Sequence, residues 1–189
     1  MSGTIGRRGL LIGGGALAAT PVIGRDHASA HGRGGRVRTG ADVVAAKSWR
    51  EFRGQRVGVI TNPTGVLSDS LISIVDAMVA AGVTVGGVFG PEHGFRGAAQ
   101  AGSSEDTYVD ERTGVTVYDA YGADATKFAR FFTEAKVQTV IFDIQDVGAR
   151  FYTYIWTMYD ALIAAGQLGL RFVILIDPTR SAVGPGVRC

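Results

Sequence analysis

Residues 56–89 decide the fold: Arg56-Val-Gly-Val-Ile-Thr61, then Asn62-Pro-Thr-Gly65, then an amphipathic stretch up to Gly82, then Val83-Thr-Val-Gly-Gly-Val-Phe89. The first run is short, β-branched and closed by turn residues, which predicts a strand. Leu71, Ile74, Val75, Met78 and Val79 then recur at i, i+3, i+4, i+7 and i+8, the spacing of one helix face, with Ser68 or Asp69 as the expected cap. A second apolar run follows the stop at Gly82. Strand, helix and strand in this order form a β-α-β unit, whose two strands lie parallel.

The same alternation continues outward. On the N-terminal side, short helices are expected at Ala41–Lys47 and Trp49–Phe52. On the C-terminal side, strands are predicted at Val115–Tyr118, Thr139–Ile144 and Arg171–Ile176. Helices fall between them at Ala125–Ala135 and Thr153–Gln167, the latter with Ile155, Tyr159, Leu162 and Ile163 on one apolar face. Strands apolar on both sides and separated by helices predict an α/β fold: a Rossmann-like open parallel sheet with helices on both faces. With 46% hydrophobic and 19% charged residues, the chain has too much apolar and too little charged content for disorder.

Residues 1–30 stand apart from this pattern. Arg7-Arg8, the apolar run Gly9–Thr20 and Ala28-Ser29-Ala30 follow the basic, apolar, small-residue order of a signal peptide. The paired arginines fit a twin-arginine signal, and a general secretory signal is the alternative. Twelve apolar residues fall short of the roughly 20 that span a bilayer, so no membrane span is expected. Residues 31–40, rich in Gly and Arg, read as a linker. Loss of Arg7, Arg8, Arg25 and Asp26 leaves 16 basic and 16 acidic residues. That balance argues against a nucleic-acid binder, which needs a concentrated basic face. The expected location is secreted or extracytoplasmic.

Open parallel sheets bind ligands beyond the carboxyl ends of their strands. Those ends are 62–66, 90–103, 119–122 and 145–153. In the second, Glu92, His93 and Arg96 are crowded among Gly90, Gly94 and Gly97. A carboxyl group beside apolar strand ends has its charged form disfavoured, which suits a general acid. The alternative is a plain surface pair of Glu92 with Arg96. Asp143, Gln145, Asp146, Arg150, Tyr152 and Tyr154 gather around the fourth, where Arg can grip a carboxylate and Tyr can pack on a sugar face. There the alternative is an Asp146–Arg150 pair that fixes the loop, with the tyrosines filling core. No phosphate-binding glycine motif follows a strand, so no nucleotide cofactor is expected. His93 has no second ligand at helical spacing and Cys189 is the single cysteine, so no metal site is expected either.

Asn62-Pro-Thr-Gly65, Pro91-Glu-His-Gly-Phe-Arg-Gly97 and Phe142-Asp-Ile-Gln-Asp-Val-Gly-Ala-Arg-Phe-Tyr-Thr-Tyr154 occur in this order, and over residues 39–177 the chain resembles the NamZ/YbbC-type exo-β-N-acetylmuramidases. The resemblance implies a glycoside hydrolase that removes terminal N-acetylmuramic acid from peptidoglycan fragments, with muropeptides or muramyl disaccharides as partners. It implies a Rossmann-like N-terminal domain, here 41–189, followed in the family by a second domain with the cleft between them. Glu92 falls on the family's proposed acid, with Asp143 and Asp146 as candidates for the second carboxylate that glycoside cleavage uses. Asn62, His93, Arg96, Gln145, Arg150 and Tyr152 fall on motifs that would contact substrate, and Arg150 or Arg96 would suit a lactyl carboxylate. After Asp177-Pro178 the family pattern is lost, so truncation before the second domain is expected. The alternative function is a non-catalytic remnant that at most binds muropeptide or sugar.

Overall fold

The computed structural model describes residues 38–98, 100, 102 and 106–175. The expected signal peptide, most of the expected linker and the tail beyond the last strand lie outside the described residues. Six strands form one sheet: β1 (Arg56–Thr61), β2 (Thr84–Gly90), β3 (Tyr108–Val109), β4 (Thr116–Asp119), β5 (Thr139–Asp143) and β6 (Arg171–Ile174). Their order is β3-β4-β2-β1-β5-β6. Every pairing is parallel except β3 with β4. The helices are α1 (Gly40–Ala46), α2 (Ile74–Ala80), α3 (Ala125–Glu134) and α4 (Tyr154–Gln167), with a 3-10 turn at Arg50–Phe52.

The sheet separates two cores. Val57, Val59, Val88 and Ile141 face α1 and α2, whereas Ile60, Phe89, Val140 and Phe142 face α3 and α4. Successive side chains of a strand point to opposite faces, so strands covered on both sides must be apolar throughout. On the second face Phe89 packs against Tyr118, Phe131 and Phe132. This ring cluster depends on Gly58, where a Cβ would lie 2.7 Å from the Phe89 ring.

Caps fix the helix starts. Thr39 Oγ1 accepts the Asp42 N–H and an Asp42 carboxylate oxygen accepts the Thr39 N–H, each at 3.1 Å, a reciprocal capping box. Asp124 accepts the Lys127 N–H at 2.7 Å to open α3. Among the described residues no helix is long and apolar enough to cross a membrane.

Three details depart from the sequence reading. The antiparallel β3 is too short to leave a periodic signal. Helix α2 starts at Ile74 rather than near Ser68, because 66–73 folds back on itself, with a bridge between Val66 and Ser73. Leu71 takes a left-handed φ of 55° and is 72% exposed, and Ser68 caps nothing but donates from N and Oγ to Asp42. Finally, α4 buries Tyr154, Ala161, Ala164 and Ala165, while Ile155, Tyr159 and Leu162 are exposed. The reason is volume: α3 brings Phe128, Phe131 and Phe132 into the shared core, so small side chains on α4 suffice.

Candidate functional site

From β1 the chain leaves toward β2 through α2 on one face, and from β5 toward β6 through α4 on the other. Because β1 and β5 are neighbours, the carboxyl ends of this pair form the switch point where open sheets accept ligands. Thr61 is in register with Asp143 there.

Asp143, the last residue of β5, is half-buried; its backbone carbonyl accepts the Thr61 hydroxyl at 3.3 Å, while its carboxylate accepts no hydrogen bond from any described residue. Burial, reinforced by the negative charge of Asp42, pushes its carboxyl up to about 7. Asp42 itself moves the other way: burial opposes its charge, but hydrogen bonds from Ser68 and Thr39 hold it down to about 2. The turn after β1 closes over Asp143. A Cβ on Gly65 would clash with Thr61 Oγ1 and come within 3.3 Å of Asp143 Oδ2, so only glycine lets the backbone pass there. Asn62, 4% exposed, folds that turn by accepting from Thr64 N at 3.0 Å and Thr64 Oγ1 at 2.6 Å.

Glu92 follows β2, half-buried, and its Oε1 accepts the Gly102 N–H at 3.1 Å. Its carbonyl accepts the Tyr154 hydroxyl at 3.1 Å, and the same hydroxyl hydrogen-bonds to the Asn62 side chain. Tyr154 thereby ties the loops after β1 and β2 to the start of α4. Burial, set against the Asn62 bond, raises the Tyr154 phenol above its ordinary value. Tyr152 meets the Tyr154 ring edge-on at 4.6 Å. His93 is exposed with a left-handed φ of 68°, a conformation a residue with a Cβ adopts only under local constraint.

Neither alternative ion pair forms. Arg96 turns away from Glu92 to bridge Asp110, through Nε at 3.0 Å and Nη2 at 2.8 Å, and Asp76, through Nη2 at 2.6 Å and Nη1 at 3.2 Å. Arg96, opposed by burial, holds Asp110 down to about 2. With its guanidinium committed to two carboxylates, Arg96 works as a brace between α2 and the turn after β3. Asp146 accepts the Gly148 N–H at 2.6 Å, and Gln145 Nε2 donates to the Asp146 carbonyl at 3.1 Å. Arg150 is exposed and has no partner among the described residues.

The sequence reading did not single out a cavity of about 310 Å³ beside Glu92, lined by Tyr121, Asp124, Thr153 and the α4 residues Trp156, Thr157 and Asp160. Two signals pointed to it: Tyr121 lies in the strand-end segment 119–122, and Thr153 with the α4 residues Trp156, Thr157 and Asp160 recurs at i, i+3, i+4 and i+7, one helical stripe.

Residues 57–185 match the family described as exo-β-N-acetylmuramidase NamZ, N-terminal. The chain is 45% identical over 144 residues to the peptidoglycan β-N-acetylmuramidase NamZ of Bacillus subtilis, covering 76% of this chain and 34% of that protein. Its fold is similar to the crystal structure of a DUF1343 family protein from Bacteroides fragilis, with a TM-score of 0.62 and 35% identity over 75% of this chain and 34% of the other. The chain thus spans about a third of the length of these relatives.

Proposed function

Because the chain belongs to the family of NamZ N-terminal domains, we propose that it forms the Glu92-bearing half of an exo-β-N-acetylmuramidase site and acts in cell-wall turnover. Its substrates in this reading are peptidoglycan-derived muropeptides or muramyl disaccharides. The observation that carries the reading is the Tyr154 hydroxyl on the Glu92 carbonyl, which ties Glu92 to the loop and helix that follow Asp143 and Asp146.

Cleaving a glycoside requires a proton for the leaving oxygen and a carboxylate to support the sugar cation or activate water. Glu92 delivers the proton. Asp146, held by Gly148 N–H, supplies the second carboxylate. Asp143, protonated up to about pH 7, donates a hydrogen bond to a sugar oxygen at the switch point. Arg150, unpartnered where Arg96 is not, pairs with the lactyl carboxylate, and Tyr152 packs on the ring. His93, Gln145 and Asn62 shape the rim.

The test is release of N-acetylmuramic acid from a muramyl disaccharide by the chain joined to the C-terminal remainder of a full-length family member. Glu92→Gln should lower turnover by about 10²–10⁴, the usual contribution of a general acid, with binding retained. Full activity in that variant would remove Glu92 from the mechanism. No turnover in the unmutated protein would leave only sugar binding. Residues 1–30 support export, and N-terminal sequencing of extracytoplasmic protein should begin near His31. An intact Met1 in that fraction would contradict this.

A further inference from the structure

Among the described residues, the outer flank of α4 and the free edge of β6 form one uncovered surface. Ile155, Tyr159 and Leu162 recur at i, i+4 and i+7 on α4, a single stripe, and all three are about half exposed. The opposite flank carries Thr157 and Asp160, which line a cavity together with Asp124, the cap of α3. Helix α3 itself sits over β2 and β4, where Phe131 packs on Phe89 and Tyr118. The apolar stripe therefore faces away from α3, toward the β6 side of the sheet. There β6 is outermost and pairs, among the described residues, with β5 alone. Its Ile174, 45% exposed, is in register with Phe142 and so points to the face that α4 covers.

Free edges are normally blunted by a short strand, a bulge, a proline or a lysine. The far edge follows that rule, since β3 has two residues and runs antiparallel to its neighbour. The β6 edge does not. Arg171-Phe-Val-Ile174 keeps one register with β5 and contains neither proline nor lysine. Its one charge is drawn off the edge, because the Arg171 guanidinium lies over the Phe52 ring at 5.9 Å, on the α1 side of the sheet.

We infer that this surface is an interface between two copies of the chain, joined edge to edge about a two-fold axis normal to the sheet. Antiparallel pairing of β6 with itself, centred on Val173, sets Phe172 of each copy opposite Ile174 of the other and Arg171 opposite Leu175. No charge meets its own kind. Because the axis is normal to the sheet, both α4 helices stay on one face and their stripes meet across it. Half-exposed, Ile155, Tyr159, Leu162 and Ile174 present on the order of 400 Å² per copy, and the strand edge brings this to roughly 600 Å². The pair then buries roughly 1,200 Å², the lower limit of a specific interface, which fits a reversible dimer with a Kd of about 10 µM. Assembly stops at two, since the only edges left are the two short β3 strands. The strands of the two copies run in opposite directions, so their candidate sites open to opposite ends of the joined sheet.

Sedimentation velocity of the full 189-residue chain over about 1–100 µM tests this. The 19.8 kDa monomer should give way to a species of twice its mass and no larger one. Amide exchange across 171–175 should slow over the same concentration range. Tyr159→Glu and Ile174→Lys each bring two charges into the interface, one from each copy, and should weaken the dimer about tenfold or more. At about 1 µM, where the monomer prevails, both variants should melt with the parent, because both side chains are half exposed. A monomer up to the highest concentration, association indifferent to both substitutions, or assemblies larger than a dimer would each overturn the inference. So would a monomer whose 171–175 amides are protected at every concentration, which would assign the face to another segment of the same chain.

Discussion

Replacing Asp143 by Asn should stabilise the protein above neutral pH and change little in acid. In the folded chain the carboxyl is raised to about 7 from an ordinary 3.8, by burial first and by Asp42 second. A group whose native pKa is raised favours the folded state fully below its unfolded pKa and loses that advantage as pH rises through the native value. The window therefore runs from about pH 3.8 to 7. At 1.36 kcal/mol per unit, the shift corresponds to a penalty of about 4 kcal/mol for ionised Asp143 above pH 7. Water entering the strand end to solvate the anion brings the expected gain for Asp143→Asn to about 2–4 kcal/mol at pH 8. Near pH 4, where Asn mimics the neutral acid, the expected difference is close to zero. Urea unfolding of both proteins at half-unit pH steps measures this, and taking the difference cancels most other titrations. Asp42, lowered to about 2, contributes stability present above pH 3.8 and lost toward pH 2, outside the window. A difference that is flat between pH 4 and 8 would refute the reasoning, since Asp143 would then titrate as an ordinary solvated carboxyl.

Two further substitutions probe the frame around the site. Arg96→Met should cost about 2–4 kcal/mol, because buried Asp110 and half-buried Asp76 would lose their shared cation. Acid unfolding checks the same brace: Asp110, held at about 2, contributes stability that disappears between pH 3.8 and 2, and this acid sensitivity should shrink in the variant. A neutral effect on both would show that Arg96 is not structural and restore it as a ligand-binding residue. Tyr154→Phe removes the hydroxyl from the Glu92 carbonyl, for about 1 kcal/mol of stability and faster amide exchange in 91–97. Unchanged exchange there would mean that the loop is held elsewhere.

The central strands were legible because their apolar runs need no partner to be recognised. Val57–Ile60, Val85–Phe89 and Val140–Phe142 are buried on both faces, and sequence records that directly. The orientation of α4 was not legible, because whether Ile155 or Ala161 faces inward depends on three phenylalanines contributed by another helix. The site divides similarly. The strand-end rule put Glu92, Asp143 and Asp146 at or just beyond the carboxyl ends of β2 and β5, which is where the structure has them. It could not tell that Arg96 belongs to Asp76 and Asp110, 20 and 14 residues away, since charge pairing across such gaps leaves no periodic mark. Nor did it isolate Trp156, which in sequence looks like one more core aromatic among the apolar residues of α4.

The position of β1 between β2 and β5 also has a meaning during synthesis. Thr61 and Asp143, paired across the sheet, are 82 residues apart in the chain. At ribosomal rates of about 5–20 residues per second, β1 emerges roughly 4–16 s before the strand that covers its second edge. For that interval a nascent Val-Gly-Val-Ile segment presents an unpaired backbone edge and two apolar faces, the features that recruit chaperones or seed aggregation. Docking of β5 also creates the Thr61–Asp143 edge, before α4 and β6 follow, so a chain stalled before residue 139 has the Glu92 loop but no floor beneath it.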